Sequence, residues 1–204
     1  MRVLPCGERA VLVELDHLAQ VHGLYRQLRA DPPAGVGELV PAARTLLVGY
    51  DPARTSFSRL AAEIRRRPYD AAVHTGSAVV EIPVRYDGAD LPEVASLAGI
   101  SEQEVVKRHL AGCYTSAFCG FTPGFAYLTG LDPMLHVGRR DNPRTRVPAG
   151  AVALADEFTA VYPRESPGGW RIIGHTDIVV WDLHADPPTL LTPGTQVRFV
   201  AARP

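Results

Sequence analysis

Apolar and other positions alternate along residues 9–15 (RAVLVEL), the period of a half-buried β-strand. The period then lengthens. Leu18, Val21, Leu24 and Leu28 recur at helical spacing, with Asp16 in the capping position and Asp31-Pro32-Pro33 as the stop. Two further strands are predicted at Val36–Val40 and Thr45–Tyr50. Asp51-Pro52 then turns the chain into a second helix with Phe57, Leu60, Ala61 and Ile64 on one face. That helix ends in Arg65-Arg66-Arg67, cations placed where the helix dipole favours them.

The order β-α-β-β-α predicts a small α+β sandwich resembling the ferredoxin-like motif. Periodicity is lost between Pro68 and Ser77, which predicts two domains, residues 1–74 and 75–204. The second opens with a strand at Ala78–Tyr86, Pro83 marking an edge or bulge, and a short helix from Asp90-Leu91-Pro92 to about Ala98. Ser101-Glu102-Gln103-Glu104 is a capping box for a helix over Glu102–Ala111. Short strands follow at 113–119, 125–128, 151–154, 159–162, 170–173, 178–181 and 196–200. Many short strands punctuated by Gly and Pro argue for a closed barrel over a sandwich, and so for an α+β chain ending in a β-barrel domain.

Composition is ordinary for a globular protein, 46% hydrophobic and 21% charged over 204 residues, so a packed core is expected. With a net charge of -1 and no polybasic tract, nucleic acid is an unfavourable partner. Glu8, Arg9 and Glu14 interrupt the apolar run at the start, so neither a signal peptide nor a membrane helix is predicted and a cytoplasmic location is expected. Cys6, Cys113 and Cys119 have no metal-ligand spacing; partly buried free thiols are expected, with no tightly bound metal. His17, His22, His74, His136 and His184 form no ligand pattern either.

Chemistry concentrates in Gly120–Thr176, where alternating Gly and Pro specify rigid loops of the kind that carry binding sites. Gly120, Pro123 and Gly124 precede no GK[ST], so this is no P-loop. The loop's backbone N–H groups could form an anion nest; alternatively the run is a tight turn whose Phe121, Phe125 and Tyr127 fill the barrel. Arg139, Arg140, Arg144 and Arg146 follow, offset locally only by Asp141. Guanidinium groups suit carboxylate or phosphate, with salt bridges to another subunit the competing use. If they bind an anion, Arg140 and Arg144 contribute little to folding. Tyr162, Ser166, Gly168 and Gly169 surround a turn before Trp170, itself core or cavity wall. Ser166 lies in no G-x-S-x-G elbow, and no catalytic triad can be defended.

The runs GFTPGFAYL (120–128), RRDNPR (139–144), VPAGAVAL (147–154), YPRESPGGW (162–170) and IIGHT (172–176), with ELVPAARTLLVGYDP (38–52), resemble the KipI-like or allophanate hydrolase subunit 1 family. That family includes the PxpB components of ATP-dependent 5-oxoprolinases. The resemblance implies a cyclophilin-like C-terminal domain. It also implies a hydrolase component that opens the lactam of 5-oxoproline to glutamate at the expense of ATP, silent without its partners. Those are an allophanate hydrolase subunit 2 protein (PxpC type), sharing the ATP, and a PxpA-type protein. It further implies an acid/base role for His109, which matches a family His; the residues alone read His109 as a cation or hydrogen-bond donor at a helix end. Three positions depart from the pattern: Ala151 for Ser, His175 for Arg and Asp177 for Pro. His175, beside Thr176, is expected to take over the Arg's anion contact. Two other functions go with the family, inhibition of a histidine kinase by binding and a carboxyltransferase-like role in urea or allophanate metabolism.

Overall fold

A computed structural model of the chain describes residues 1–69 and 79–202; the predicted boundary at 74/75 and His74 lie outside the described residues. The chain falls into two compact units, Met1–Gly76 and Ser77–Pro204. Both contain helix and strand, so the fold is mixed α+β.

The first unit runs β1 (Arg2–Cys6), β2 (Ala10–Glu14), α1 (Leu18–Ala30), β3 (Val36–Pro41), β4 (Thr45–Tyr50) and α2 (Phe57–Arg66). Its sheet has the order β1-β2-β4-β3, every pair antiparallel. The alternation in β2 and β4 buries Val11, Val13, Leu46 and Val48 against Val21, Leu24 and Leu28 of α1 and Leu60 and Ile64 of α2. Strand β1 escapes the sequence pattern because only Val3 in it is buried, which leaves no alternation to read; its Pro5 is tolerable on an edge strand. Asp16 is not the cap expected of it. The N-cap is His17, without a side-chain bond, and the Asp16 N–H donates to Gln20 Oε1 at 3.0 Å. Arg67 bonds Glu63 at 3.0 Å and Asp31 at 2.8 Å, tying the end of α2 to the end of α1.

The second unit begins with β5 (Val79–Val84), α3 (Leu91–Ala98), α4 (Glu102–Ala111), β6 (Tyr114–Cys119) and β7 (Ala126–Thr129). It continues with β8 (Arg144–Val147), β9 (Ala151–Ala155), β10 (Phe158–Val161), β11 (Ser166–Gly168), β12 (Arg171–His175) and β13 (Gln196–Ala201). Seven strands form one sheet, β12-β9-β10-β7-β6-β13-β5, and β8 pairs separately with β11. The chain beyond β5 folds back on β12: Arg85 and His175 exchange backbone hydrogen bonds of 2.8 Å, and the Asp90 N–H reaches Ile172 O at 2.9 Å. The sheet is thereby nearly closed into a barrel.

Strand β9 is buried along its whole length. Val152 and Leu154 join one core cluster, with Ile82, Leu128 and Phe199, while Ala151, Ala153 and Ala155 join another, with Phe125, Tyr162 and Trp170. Small side chains on the second face leave room for those rings. The capping box is present, Ser101 Oγ accepting from the Glu104 N–H at 3.2 Å. Residues 178–181, expected as a strand, form only an isolated bridge from Trp181 to Thr189. Cys6 and Cys113 are exposed, not partly buried; Cys119 is half-buried.

Candidate functional site

Two loops and a strand end meet around Phe121. Its φ is +66°, and the Thr122 N–H donates across it to Gly120 O at 2.8 Å, a three-residue γ-turn of the strained, positive-φ kind. Such backbone costs about 1–3 kcal/mol and persists only where its surroundings hold it. Here Gly120 N–H donates to Phe125 O and Phe125 N–H to Thr122 O, both at 3.0 Å. Gly124 has a φ of +78° and sits so close to Trp181 that a Cβ would lie 2.5 Å from that residue's own. The loop's N–H groups at 120, 122 and 125 close on its own carbonyls, as in a tight turn.

Phe121 is exposed and borders two cavities. One, of about 400 Å³, is lined by Cys119 to Gly124, Trp181 and Thr189. The other, of about 220 Å³, is lined by Phe121, Phe125, Tyr127, Arg139, Pro143, Tyr162, Pro167, Gly168, Gly169 and Trp170. Its rings meet edge to face: Phe125 against Tyr162 at 5.1 Å and 84°, against Trp170 at 5.4 Å and 90°, and against Phe121 at 5.5 Å and 78°. Gly168 is required because any Cβ there would collide with the Tyr162 hydroxyl. Burial pushes the Tyr162 phenol above its ordinary pKa, so it stays protonated as a potential donor. A third cavity, of about 430 Å³, lies in the first unit among residues such as Arg2, Glu14 and Arg44, where Arg2 and Glu14 pair at 2.8 Å.

The four arginines separate into different uses. Arg144 forms a fork to Asp90, Nη1 and Nη2 each at 2.7 Å from a carboxylate oxygen, and Arg140 Nη1 reaches the same group at 2.6 Å. Asp90 is 2% exposed and also accepts the Ile172 N–H at 2.7 Å. Burial alone would push its pKa up, but the Arg144 hydrogen bonds, the Ile172 N–H and both guanidinium charges hold it below the usual carboxylate range. Arg146 pairs with Glu165 at 2.9 Å. Arg140 and Arg144 therefore brace the β8–β11 loops internally and line neither cavity, contrary to the expected anion contacts. Arg139 is the exception: its guanidinium is mostly exposed, its nearest carboxylate is Asp156 at 3.9 Å, and it lines the aromatic cavity.

His109 also departs from its expected role. It is fully buried, with Nδ1 2.8 Å from Tyr86 Oη and Nε2 3.0 Å from Thr159 Oγ1. Thr159 donates onward to Ala153 O, so it accepts from Nε2–H and leaves Nδ1 to accept the Tyr86 proton. The ring packs 4.5 Å from Phe199 and lines neither cavity. Desolvation pushes its pKa down to about 3: it is a neutral core residue and no cation at a helix end. His175 Nδ1 meets Asp87 at 2.8 Å, with Arg85 and Asp177 paired alongside at 2.6 Å, so the two departures His175 and Asp177 each have an internal partner. Thr176 caps its own turn, Oγ1 accepting the Ile178 N–H at 3.3 Å. Ser166 Oγ is buried without a partner in β11.

Of the predicted positions, Tyr127, Arg139, Tyr162, Gly168 and Gly169 thus come together in the aromatic cavity, and Gly120, Pro123 and Gly124 in its neighbour. Sequence reasoning misses Asp90 and Glu93 as partners of the arginines, placing Asp90 only at the start of α3. The signal available is the imbalance itself, since four guanidinium groups beside one Asp call for carboxylates from elsewhere in the chain.

The second unit is thus a nearly closed barrel in an α+β chain, with an aromatic cavity that Arg139 borders. The chain belongs to the family described as Carboxyltransferase domain, subdomain C and D, whose profile matches residues 1–191. It is 40% identical over 203 residues to the B subunit of 5-oxoprolinase from Escherichia coli O157:H7, covering 95% of this chain and 93% of that protein. Its identity to the Bacillus subtilis protein of the same name is 35%, over 88% of this chain and 81% of the other. The crystal structure of TTHA0988 superposes with a TM-score of 0.84 at 42% identity, over 96% of this chain. The chain spans only 41% of that longer polypeptide. The Kluyveromyces lactis urea amidolyase, at 20% identity and a TM-score of 0.74, shares the fold.

Proposed function

We propose that this chain is the PxpB component of an ATP-dependent 5-oxoprolinase, converting 5-oxoproline, ATP and water to glutamate, ADP and phosphate with partner proteins. The observation that carries this is the 40% identity to the Escherichia coli 5-oxoprolinase component across 93% of that protein's length. Its partners are proposed to be a chain of allophanate hydrolase subunit 2 (PxpC) type and a PxpA-type protein. The TTHA0988 polypeptide, more than twice the aligned length, supports a working unit larger than this chain. Tyr127, Arg139, Tyr162, Gly168 and Gly169 are the proposed ligand contacts, because they line one cavity. The same reading takes the two units as a ferredoxin-like and a cyclophilin-like domain; in the first, the sheet order fits that layout with its edge strand supplied from the N-terminal end. ATP is proposed to be shared with a partner, and the location to be cytoplasmic.

The test is ATP-dependent glutamate release from 5-oxoproline by the purified chain, then with each candidate partner added in turn. The chain alone is expected to be silent, since no nucleophile-base pair or phosphate loop is found among its described residues, and the assembled complex active. Turnover by the chain alone would refute the need for partners; no turnover by any combination would refute the assignment.

A further inference from the structure

We infer that the aromatic cavity beside Arg139 is the subsite for the small cyclic carboxylate substrate, and that the nucleotide binds elsewhere; this rests on the 5-oxoprolinase reading above. Size is the first argument. Pockets for drug-sized ligands occupy about 300–1,000 Å³. At about 220 Å³ this cavity suits a five-membered ring with one carboxylate and is too small for a nucleoside triphosphate.

Ring geometry is the second. A planar base gains its affinity by stacking on an aromatic face, most effectively between parallel planes. Phe125 instead stands at 84° to Tyr162 and 90° to Trp170, and Tyr127 stands at 74° to Trp170. Walls that meet edge to face at Phe125 and at Trp170 suit a compact, puckered ring whose methylene groups need apolar contact on several sides.

Charge is the third argument. A triphosphate calls for several cations, but Arg140 and Arg144 are held by Asp90, Arg146 by Glu165 and Arg171 by Glu93 at 2.6 Å. Arg139 lines the cavity, one guanidinium for one carboxylate, while Arg164, bonded to Thr122 Oγ1 at 2.9 Å, is not among the lining residues. Tyr162, kept protonated by burial, supplies a hydroxyl donor suited to the lactam carbonyl.

The experiment pairs two measurements on wild type, Arg139→Gln, Arg139→Lys and Tyr162→Phe. In the first, the full chain is titrated with 5-oxoproline, cyclopentanecarboxylate and ATP, following tryptophan fluorescence and calorimetry. In the second, KM for 5-oxoproline and for ATP is measured separately on the assembled complex. Arg139→Gln is expected to weaken 5-oxoproline about 10- to 100-fold, the loss of one charge-assisted contact, while KM for ATP is unchanged. Arg139→Lys should recover part of the loss. Cyclopentanecarboxylate should bind more weakly than the lactam in wild type and equally in Tyr162→Phe. Arg139 is mostly exposed, so its substitution spares the fold. An effect of Arg139→Gln on KM for ATP, or ATP displacing 5-oxoproline from the chain, would place the nucleotide here and overturn the inference. So would a chain that binds no 5-oxoproline together with an unchanged KM in the variant complex. If the wild-type complex releases no glutamate, the 5-oxoprolinase reading fails; the titrations of the chain alone still decide the cavity's ligand.

Discussion

His109 shows how far one side chain's role depends on which way its helix faces. It shares a face with Val105 one turn earlier, and both are fully buried. In the sequence the helix end suggests a cation; the four-residue spacing from Val105 is the signal that points inward. A histidine with its folded pKa near 3 and an unfolded value near 6.5 binds fewer protons in the native state between those limits. The stability it contributes is therefore complete above about pH 6.5 and is lost as pH falls toward 3, at about 1.4 kcal/mol per pH unit. His109→Gln, whose amide can accept from Tyr86 and donate to Thr159, removes the titration. Urea midpoints measured from pH 7 to pH 4 should fall more steeply for wild type than for His109→Gln. Parallel curves would show that His109 is not the group being protonated.

Among the elements, the long and strongly periodic ones can be read from the chain: α1, α2, α4 and the alternating strands β2 and β4. Strands β8 and β11, of four and three residues, cannot. No period can establish itself over so few positions, and what holds the pair in place comes from a distant part of the chain, the Asp90 carboxylate at the start of α3. Both arginines of that clamp are only partly exposed, and the carboxylate is buried. Arg140 and Arg144 consequently matter to folding more than their expected ligand role implies. Asp90→Ala leaves two guanidinium groups and the Ile172 N–H without their acceptor, which should cost about 3–5 kcal/mol, or roughly 10 °C in Tm for a chain of this length. Arg144→Ala should cost less, because Arg140 and the N–H still hold the carboxylate. A melting temperature unmoved by Asp90→Ala would show the clamp to be idle.

At the scale of the barrel, closure depends on backbone at a glycine seam more than on the charges above it. Arg85 and Asp177, half or more exposed, form a solvent-screened surface pair, and the bond between His175 and Asp87 is also solvent-facing. Beneath them the backbones lie too close for side chains: a Cβ on Gly174 would collide with Arg85 O, and one on Gly88 with the Ile173 carbonyl carbon. The contacts between Gly88–Asp90 and Ile172–Ile173 also seat Asp90, and hence the arginine loops around the aromatic cavity. Gly174→Ala should therefore cost about 1–3 kcal/mol or more, as overpacking does, and weaken 5-oxoproline binding together with stability. His175→Arg keeps a donor beside Asp87 and touches neither of the two cavities beside Phe121, so it should leave the melting temperature and the pH dependence of binding as they are. Thermal melts and 5-oxoproline titrations between pH 6 and 8 on both variants separate the two cases. A flattened pH profile in His175→Arg would return that residue to the site, and a native-like Gly174→Ala would show that the seam can open without disturbing the cavity.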